Sequence, residues 1–403
     1  MKAELVADAA LTGVDALGAD LKTRAERSRT IAALHAGDVD RAARFPAEAI
    51  ATLKAQGLLG ILVPRALGGE EATLSEVADV CYLLSQGCAS TGMIYAMHQV
   101  KVACLARHTG ENAVLQRLLR YLASEQALLA SSTTEGQGGG NIRSSEAPVE
   151  HHEAGRISLE RRASVISYGA HADGIVTTAR RAADAAASDQ VLIAFLKSDY
   201  TLTPLMSWNA LGMRGTCSEG YTLKAEGSAE QILPEPYESI HTRTMVPCAH
   251  LLWGSVWAGI AASATARAQA FIRNAMRHGS GQPPPGAPQF TRALGSLRTL
   301  RGMLASALRS YAEKMHDPQA LGALEFQTMI TLTKVEASEL AVAVVLSAMR
   351  ACGLSGYRID SEYSIERQLR DVLSAPIMIN NERILANLAG AALMSPLPAS
   401  LRE

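Results

Sequence analysis

The stretch LLASSTTEGQGGGNIRSS, residues 128–145, sets hydroxyls and a carboxylate directly before a run of nearly bare backbone. Glycine loses much conformational entropy on folding, so such a cluster marks either a flexible linker or a backbone that a ligand approaches closely. Successive N–H groups in a bare loop can cradle phosphate oxygens. A Walker loop would end in Gly-Lys-Ser/Thr, and none is present. A dinucleotide fingerprint would lead from a strand into a helix, whereas Gly136 and Gly138 are followed by Asn141 with no helical pattern behind it. A glycine-rich turn with no ligand is the alternative. The second chemically capable residue is His98, in STGMIYAMHQVKVACLARH. It shares a helical face with Ile94, Val102 and Leu105. An imidazole titrates near pH 6.5 and so can act as acid or base near neutrality. A core histidine bonded to a backbone carbonyl is the alternative here.

These residues must be positioned by three zones of different texture. Residues 1 to about 126 carry helical periodicity with clear punctuation. AARFPAEAIATLKAQGLLG has proline near its start and glycine at its end. TLSEVADVCYLLSQG opens on Thr73 with Glu76 at capping-box spacing. Residues 127–236 hold short strand-like runs, among them RISLERRASVISYG and QVLIAFLKS, cut by Gly, Asp and Ser. They predict a mostly antiparallel β module, and a flexible linker does not belong between two of its strands. Residues 237–403 return to long helices, predicted over about 251–279, 290–315, 319–352 and 364–393.

Bulk properties narrow the classes. The 403 residues are 48% hydrophobic but only 4% aromatic, which predicts an aliphatic, alanine-rich core of packed helices. A net charge of −1 gives no footprint for nucleic acid or an anionic membrane. The six cysteines form no CxxC pair, and a reduced, cytoplasmic setting is expected. The N-terminus has no apolar stretch of signal length. The longest apolar run, residues 251–266, is too short and too rich in Ala, Ser and Gly to span a bilayer, and it reads as a buried bundle helix without membrane insertion.

Several motifs together resemble the acyl-CoA dehydrogenase superfamily. TTEGQGGGN followed by SVISYGAHAD is similar to its flavin-binding strands, and SWNALGMRGTCSEG to its Gly-Met-Arg-Gly-Thr-x-Ser turn. CASTGMIYAMHQ and CGLSGYRIDSEYSIERQLRD extend the resemblance in the right order over nearly the whole chain. It implies an α+β multidomain fold: an α-helical N-terminal domain, a middle antiparallel β domain and a C-terminal four-helix bundle. It also implies FAD and a homo-oligomer, usually a homotetramer built from homodimers. Carried over by position, Thr134 faces the pyrimidine edge of the flavin, and Gly139 and Gly140 lie beside the pyrophosphate and thioester. Gly136 and Gly140-Asn141 depart from the family's Pro and Ser-Asp, which removes a side-chain contact to CoA. Ser167 keeps the hydroxyl donor near flavin N5, and Val165 stands where the family has an aromatic shield. Arg277 is placed at the FAD pyrophosphate of a neighbouring subunit, with a helix-capping arginine as the alternative. Arg350, Gly353 and Gly356 match the turn that cradles the adenosine half.

The proton-abstracting carboxylate of that family is missing. In SAPIMINNERILANL its position falls on Ile379, with Asn380-Asn381 in place of Gly-Thr; Asn381 keeps a place among the cofactor-binding candidates. The second family location, on the first bundle helix, falls on Leu252. Glu382 could replace the base only through a local shift; a solvent-facing residue beside Arg383 is its alternative. Asp371 and Arg370 read as a structural pair. His98 falls in the acyl pocket, where flavin monooxygenases of this fold carry a histidine paired with a strand serine, here Ser167. The resemblance therefore implies an FAD-dependent dehydrogenase acting on an acyl-CoA thioester, with an electron-transfer flavoprotein as acceptor and a non-standard base. The alternatives are a reduced-flavin monooxygenase fed by a flavin reductase, or a non-redox flavin-binding homologue.

Overall fold

The computed structural model of the protein describes residues 20–135, 144–279 and 281–394. Among the described residues, five helices precede the strands: α1 Leu21–Ala42, α2 Ala47–Ala55, α3 Leu74–Gly87, α4 Ala89–His108 and α5 Ala113–Glu125. Their starts follow the capping chemistry in the sequence. The Glu76 carboxylate accepts from the Thr73 N–H at 2.7 Å, and Thr73 Oγ1 accepts from the Glu76 N–H at 3.3 Å. Asn112 Oδ1 accepts from the N–H groups of Val114 and Leu115 at the start of α5. α4 is buried on nearly every face, so it is a central helix rather than an amphipathic one.

The strands form two small sheets. β1 Leu129–Ser132 runs parallel to β4 Gly174–Arg180, which pairs antiparallel with β5 Gln190–Leu196. The second sheet has the order β2-β3-β7-β6, antiparallel throughout: β2 Glu150–His151, β3 Arg156–Ile166, β7 Glu219–Ser228 and β6 Tyr200–Met206. The pairing is mostly antiparallel, as expected, with the isolated Pro148–Arg180 bridge and the β1–β4 pair parallel. Such a pair needs a long crossover, and the chain between its strands, which includes β2 and β3, supplies it.

Long helices follow: α6 Val246–His278, α7 Ala287–Lys314 and α8 Leu324–Cys352, then α9 Glu366–Val372 and α10 Asn381–Met394. α6 is entered through a short helix, Tyr237–Ile240, and a single π turn, His241–Met245. The continuous helix Tyr237–His278 is long and apolar enough to cross a membrane, but 94% of its apolar window is buried inside the fold. It packs against α3, α7 and α8. At its crossing with α3 only glycine fits: a Cβ on Gly259 would come 2.4 Å from the Tyr82 carbonyl oxygen. The fourth expected bundle helix is split between α9 and α10. Pro376 cannot continue a helical ladder, and Ile379 takes a left-handed φ of 47°.

The short helix α9 closes the structure onto the β domain. Arg370 donates to both oxygens of Asp40 on α1, at 2.9 and 2.5 Å, to Glu366 at 2.7 Å and to the Leu211 carbonyl at 2.9 Å. Asp371 accepts from the Met213 N–H at 2.6 Å. The expected pair between these two residues does not form, because each side chain reaches a different distant partner. Gly212 is where the two backbones meet, since a Cβ there would lie 2.1 Å from the Arg370 carbonyl oxygen.

Two predictions follow from this joint. Gly212→Ala must push the two backbones apart and should cost about 1–3 kcal/mol in urea unfolding. Burial raises the Asp371 carboxyl from 3.8 to about 6. The folded state therefore holds this proton more tightly than the unfolded chain. The stabilisation is complete below pH 3.8 and is lost as the pH rises to about 6. Asp371→Asn should lack that slope; parallel pH–stability profiles for the two proteins would refute the assignment.

Candidate functional site

β3 is irregular where it meets the site. Its register against β7 slips between Ala163 and Ile166, a bulge that breaks the alternation of a regular strand. The adjacent residues Ser164 and Val165 consequently both line one cavity of about 530 Å³, and Ser167 lines it too. Thr134 comes from the segment after β1, and Thr216 and Ser218 from the turn into β7. Facing this hydroxyl-rich wall are Met93, Met97 and Lys101 of α4, His250 and Trp253 of α6, and residues from Leu373 to Ile379 between α9 and α10.

The hydroxyls form a directed chain. Thr216 Oγ1 donates its proton to the Met213 carbonyl at 2.8 Å. Ser218 must then donate to Thr216 at 2.7 Å, and Ser167 to Ser218 at 2.8 Å. Ser167 presents lone pairs to the cavity, the reverse of the donor role expected from the sequence.

Glu135, just after Thr134, is held firmly. The Glu135 carboxylate pairs with Arg161 at 3.1 Å and accepts from Ser145 Oγ at 2.9 Å and from the Glu146 N–H at 2.6 Å. Gly139 and Gly140 lie outside the described residues.

His98 is not on the cavity wall. It is fully buried, and both ring nitrogens meet backbone. Nδ1 accepts from the Leu129 N–H at 3.0 Å, and Nε2 lies 2.9 Å from the Leu59 carbonyl and therefore carries the proton. Burial, which disfavours the charged ring, pushes its pKa down to about 4. The geometry gives His98 the core role that the sequence left as its alternative. The histidine on the wall is His250, which sequence reasoning missed. Its Nδ1 lies 3.4 Å from the Ile330 carbonyl, and burial beside Lys334 lowers its pKa to about 3, so it is neutral near pH 7. The only available signal was its place two residues before Leu252.

Neither usual carboxylate position is rescued. Leu252 is fully buried and off the wall, and Glu382 is exposed at the start of α10. Ile379 does line the cavity. Lys334 donates to the Ile379 carbonyl at 3.1 Å, the Ala375 carbonyl at 3.3 Å and Asn381 Oδ1 at 2.6 Å. Asn381 in turn donates to Ser338 and Glu339, so it clamps the bundle and does not reach the cavity. Among the described residues, no Asp or Glu lines the cavity.

Arg277, Arg350, Gly353 and Gly356 also lie off the wall. Arg277 and Arg350 are exposed in the last turns of α6 and α8, with Gly353 capping α8 at a φ of 54°. Gly356 is buried against Cys352 and Met349.

The wall suits a flat aromatic heterocycle: hydroxyls on one side, methionines and Trp253 on the other. Trp253 Nε1 is a buried donor with no partner among the described residues, which a bound acceptor would satisfy. The acyl-CoA dehydrogenase N-terminal domain family matches residues 23–126, and the acyl-CoA dehydrogenase C-terminal domain family matches residues 250–394. These matches span more than half of the chain, which belongs to the acyl-CoA dehydrogenase family.

Relatives within that family differ in activity. The chain is 25% identical to cyclohex-1-ene-1-carbonyl-CoA dehydrogenase of Geobacter metallireducens, over 89% of this chain and 93% of the relative. It is 26% identical to L-evernosamine nitrososynthase of a Micromonospora species, over 85% of this chain and 82% of the relative. FMN-bound TdsC from Paenibacillus sp. A11-2 shares the fold at a TM-score of 0.82 and 15% identity, covering 94% of this chain and 98% of that one. TdsC is a dibenzothiophene monooxygenase.

Replacing His98 tests its assigned role. His98→Ala leaves the Leu129 N–H and the Leu59 carbonyl unpaired beside a new void, and should cost about 2–5 kcal/mol in denaturant unfolding. Flavin affinity of the folded fraction, read by flavin fluorescence, should stay unchanged. A variant of wild-type stability would refute the role.

Proposed function

We propose that this protein is a reduced-flavin-dependent monooxygenase, fed by a separate flavin reductase. The observation that carries this reading is the absence of any carboxylate on the described cavity wall. Removing an α-proton from a thioester needs a base within hydrogen-bond reach. Ile379 and Leu252 cannot accept one. Neutral His250, with its depressed pKa, is a weak base. A monooxygenase does not need that step, and the relative L-evernosamine nitrososynthase and the structural neighbour TdsC fit an oxygen-using activity.

The flavin would be FAD, held by Thr134 and by Ser167 at the end of the hydroxyl chain. Bound flavin supplies two-electron chemistry and, once reduced, the activation of dioxygen. The chain's own residues do the rest. Ser167 offers an acceptor suited to an N–H of the reduced ring. Val165, smaller than an aromatic, leaves room for a substrate. Met93, Met97 and Trp253 exclude water from the apolar side. Arg277, Arg350, Gly353 and Gly356 would reach the FAD tail of a second copy, since they lie off this copy's cavity. Exposed Leu354, Tyr357 and Ile359 beside them fit an interface between subunits of a homo-oligomer. Under this reading the protein works in the cytoplasm.

The second reading is an acyl-CoA dehydrogenase passing electrons to an electron-transfer flavoprotein, favoured by the 25% identical cyclohexenecarbonyl-CoA dehydrogenase. One experiment separates the two. FAD-loaded protein is titrated anaerobically with an acyl-CoA panel while the flavin absorbance is followed. The band should not bleach, and reductase-supplied reduced flavin should consume oxygen in a protein-dependent way. Bleaching by any acyl-CoA would overturn the proposal. Thr134→Val combined with Ser167→Ala should weaken flavin binding about tenfold or more, the scale of two lost hydrogen bonds.

A further inference from the structure

Among the described residues, the cavity wall carries two long cationic side chains, and they are treated differently. Arg370 is neutralised by Asp40 and Glu366. Lys101 is not neutralised. It is 3% exposed, and the partner of its Nζ is Met245 Sδ at 3.6 Å. No carboxylate among the described residues pairs with it. A thioether is a weak acceptor, and an uncompensated buried ammonium costs several kcal/mol. Burial lowers the Lys101 pKa only to about 8, so the group stays largely protonated at neutral pH. The same chain does satisfy its other deeply buried lysine: Lys334 has three oxygen acceptors and lies over the Trp257 ring. Lys101 is thus an open cation on a ligand-sized cavity. Met93, Met97, Val100 and Trp253 line the same cavity and give it apolar surface.

We propose that Lys101 anchors the anionic group of an apolar organic acid, so that the substrate of this site is bound as a carboxylate or an equally acidic oxyanion with its body against the methionines and Trp253. This rests on the reading of the cavity as the place where flavin and substrate meet. The ligand supplies the counter-charge that the fold withholds. A neutral analogue would leave the ammonium buried and unpaired, which is the basis of selectivity.

The test uses the full chain loaded with FAD, with benzoate and benzamide as probes. Binding is followed by tryptophan fluorescence, since Trp208 and Trp253 line the cavity. Wild type should bind benzoate about tenfold or more tightly than benzamide, the scale of one charge-assisted hydrogen bond. Lys101→Met should bring the two within about twofold of each other, and Lys101→Arg should keep the preference. Without ligand, Lys101→Met should be as heat-stable as wild type or more so, because an unpaired buried charge is gone. Equal affinities in wild type, or no binding of either probe, would overturn the proposal. So would a preference that survives in Lys101→Met. Loss of FAD affinity in Lys101→Met would show instead that the lysine serves the flavin. Wild type that takes up no flavin yet prefers benzoate would sink the oxygenase reading and leave the anion site standing.

Discussion

Arg370 is the interaction on which the arrangement depends. Its guanidinium reaches Asp40 on the first helix, the Leu211 carbonyl in the loop before β7, and Glu366 one turn back on its own helix. Three parts of the chain, far apart in sequence, meet on one planar side chain whose donors are fixed in direction. Next to it, the Asp371 bond to the Met213 N–H and the bare Gly212 set the distance between the two backbones. The cavity exists because these contacts hold the segment after α9 across from the hydroxyl wall. Arginine suits this joint better than lysine, since its planar fork takes both oxygens of Asp40 and still reaches the Leu211 carbonyl and Glu366.

Much of this was legible before any coordinates. The Thr73–Glu76 cap follows from spacing alone, because capping is a local matter of which groups lie three residues apart. The buried character of α4 was visible in its composition. The hydroxyls before the glycine run were visible in the sequence itself, and the resemblance singled out Thr134 among them and Ser167 on the next strand. The overall layering of helices, sheets and helices followed in the same way.

What stayed hidden depends on contacts between distant segments. His98 and His250 are both histidines on apolar helices, and nothing local separates them. The difference is the Leu129 N–H and Leu59 carbonyl that close around one ring, a tertiary event. Lys101 sits in an apolar run as an ordinary basic residue, and only burial without a carboxylate makes it unusual. The split of the last helix turns on Pro376 together with the left-handed Ile379, and the Lys334 clamp that supports it lies more than forty residues away. The direction of the Ser167 hydroxyl is set by Met213 through two intervening oxygens.

The clamp on Ile379 bears on how this chain could change chemistry. A β-branched residue in the left-handed region is uncomfortable, and it is held there by an ammonium that grips its carbonyl. Suppose a carboxylate were restored at that position. Its own backbone carbonyl would still be gripped by the Lys334 ammonium, and a positive charge that close favours the ionised, weakly basic form of a carboxylate. A useful proton acceptor at that position is therefore not gained by one substitution alone. Recovering it would mean dismantling the lysine and its asparagine as well, so the present chemistry is locked in by the scaffold beneath the wall as much as by the wall.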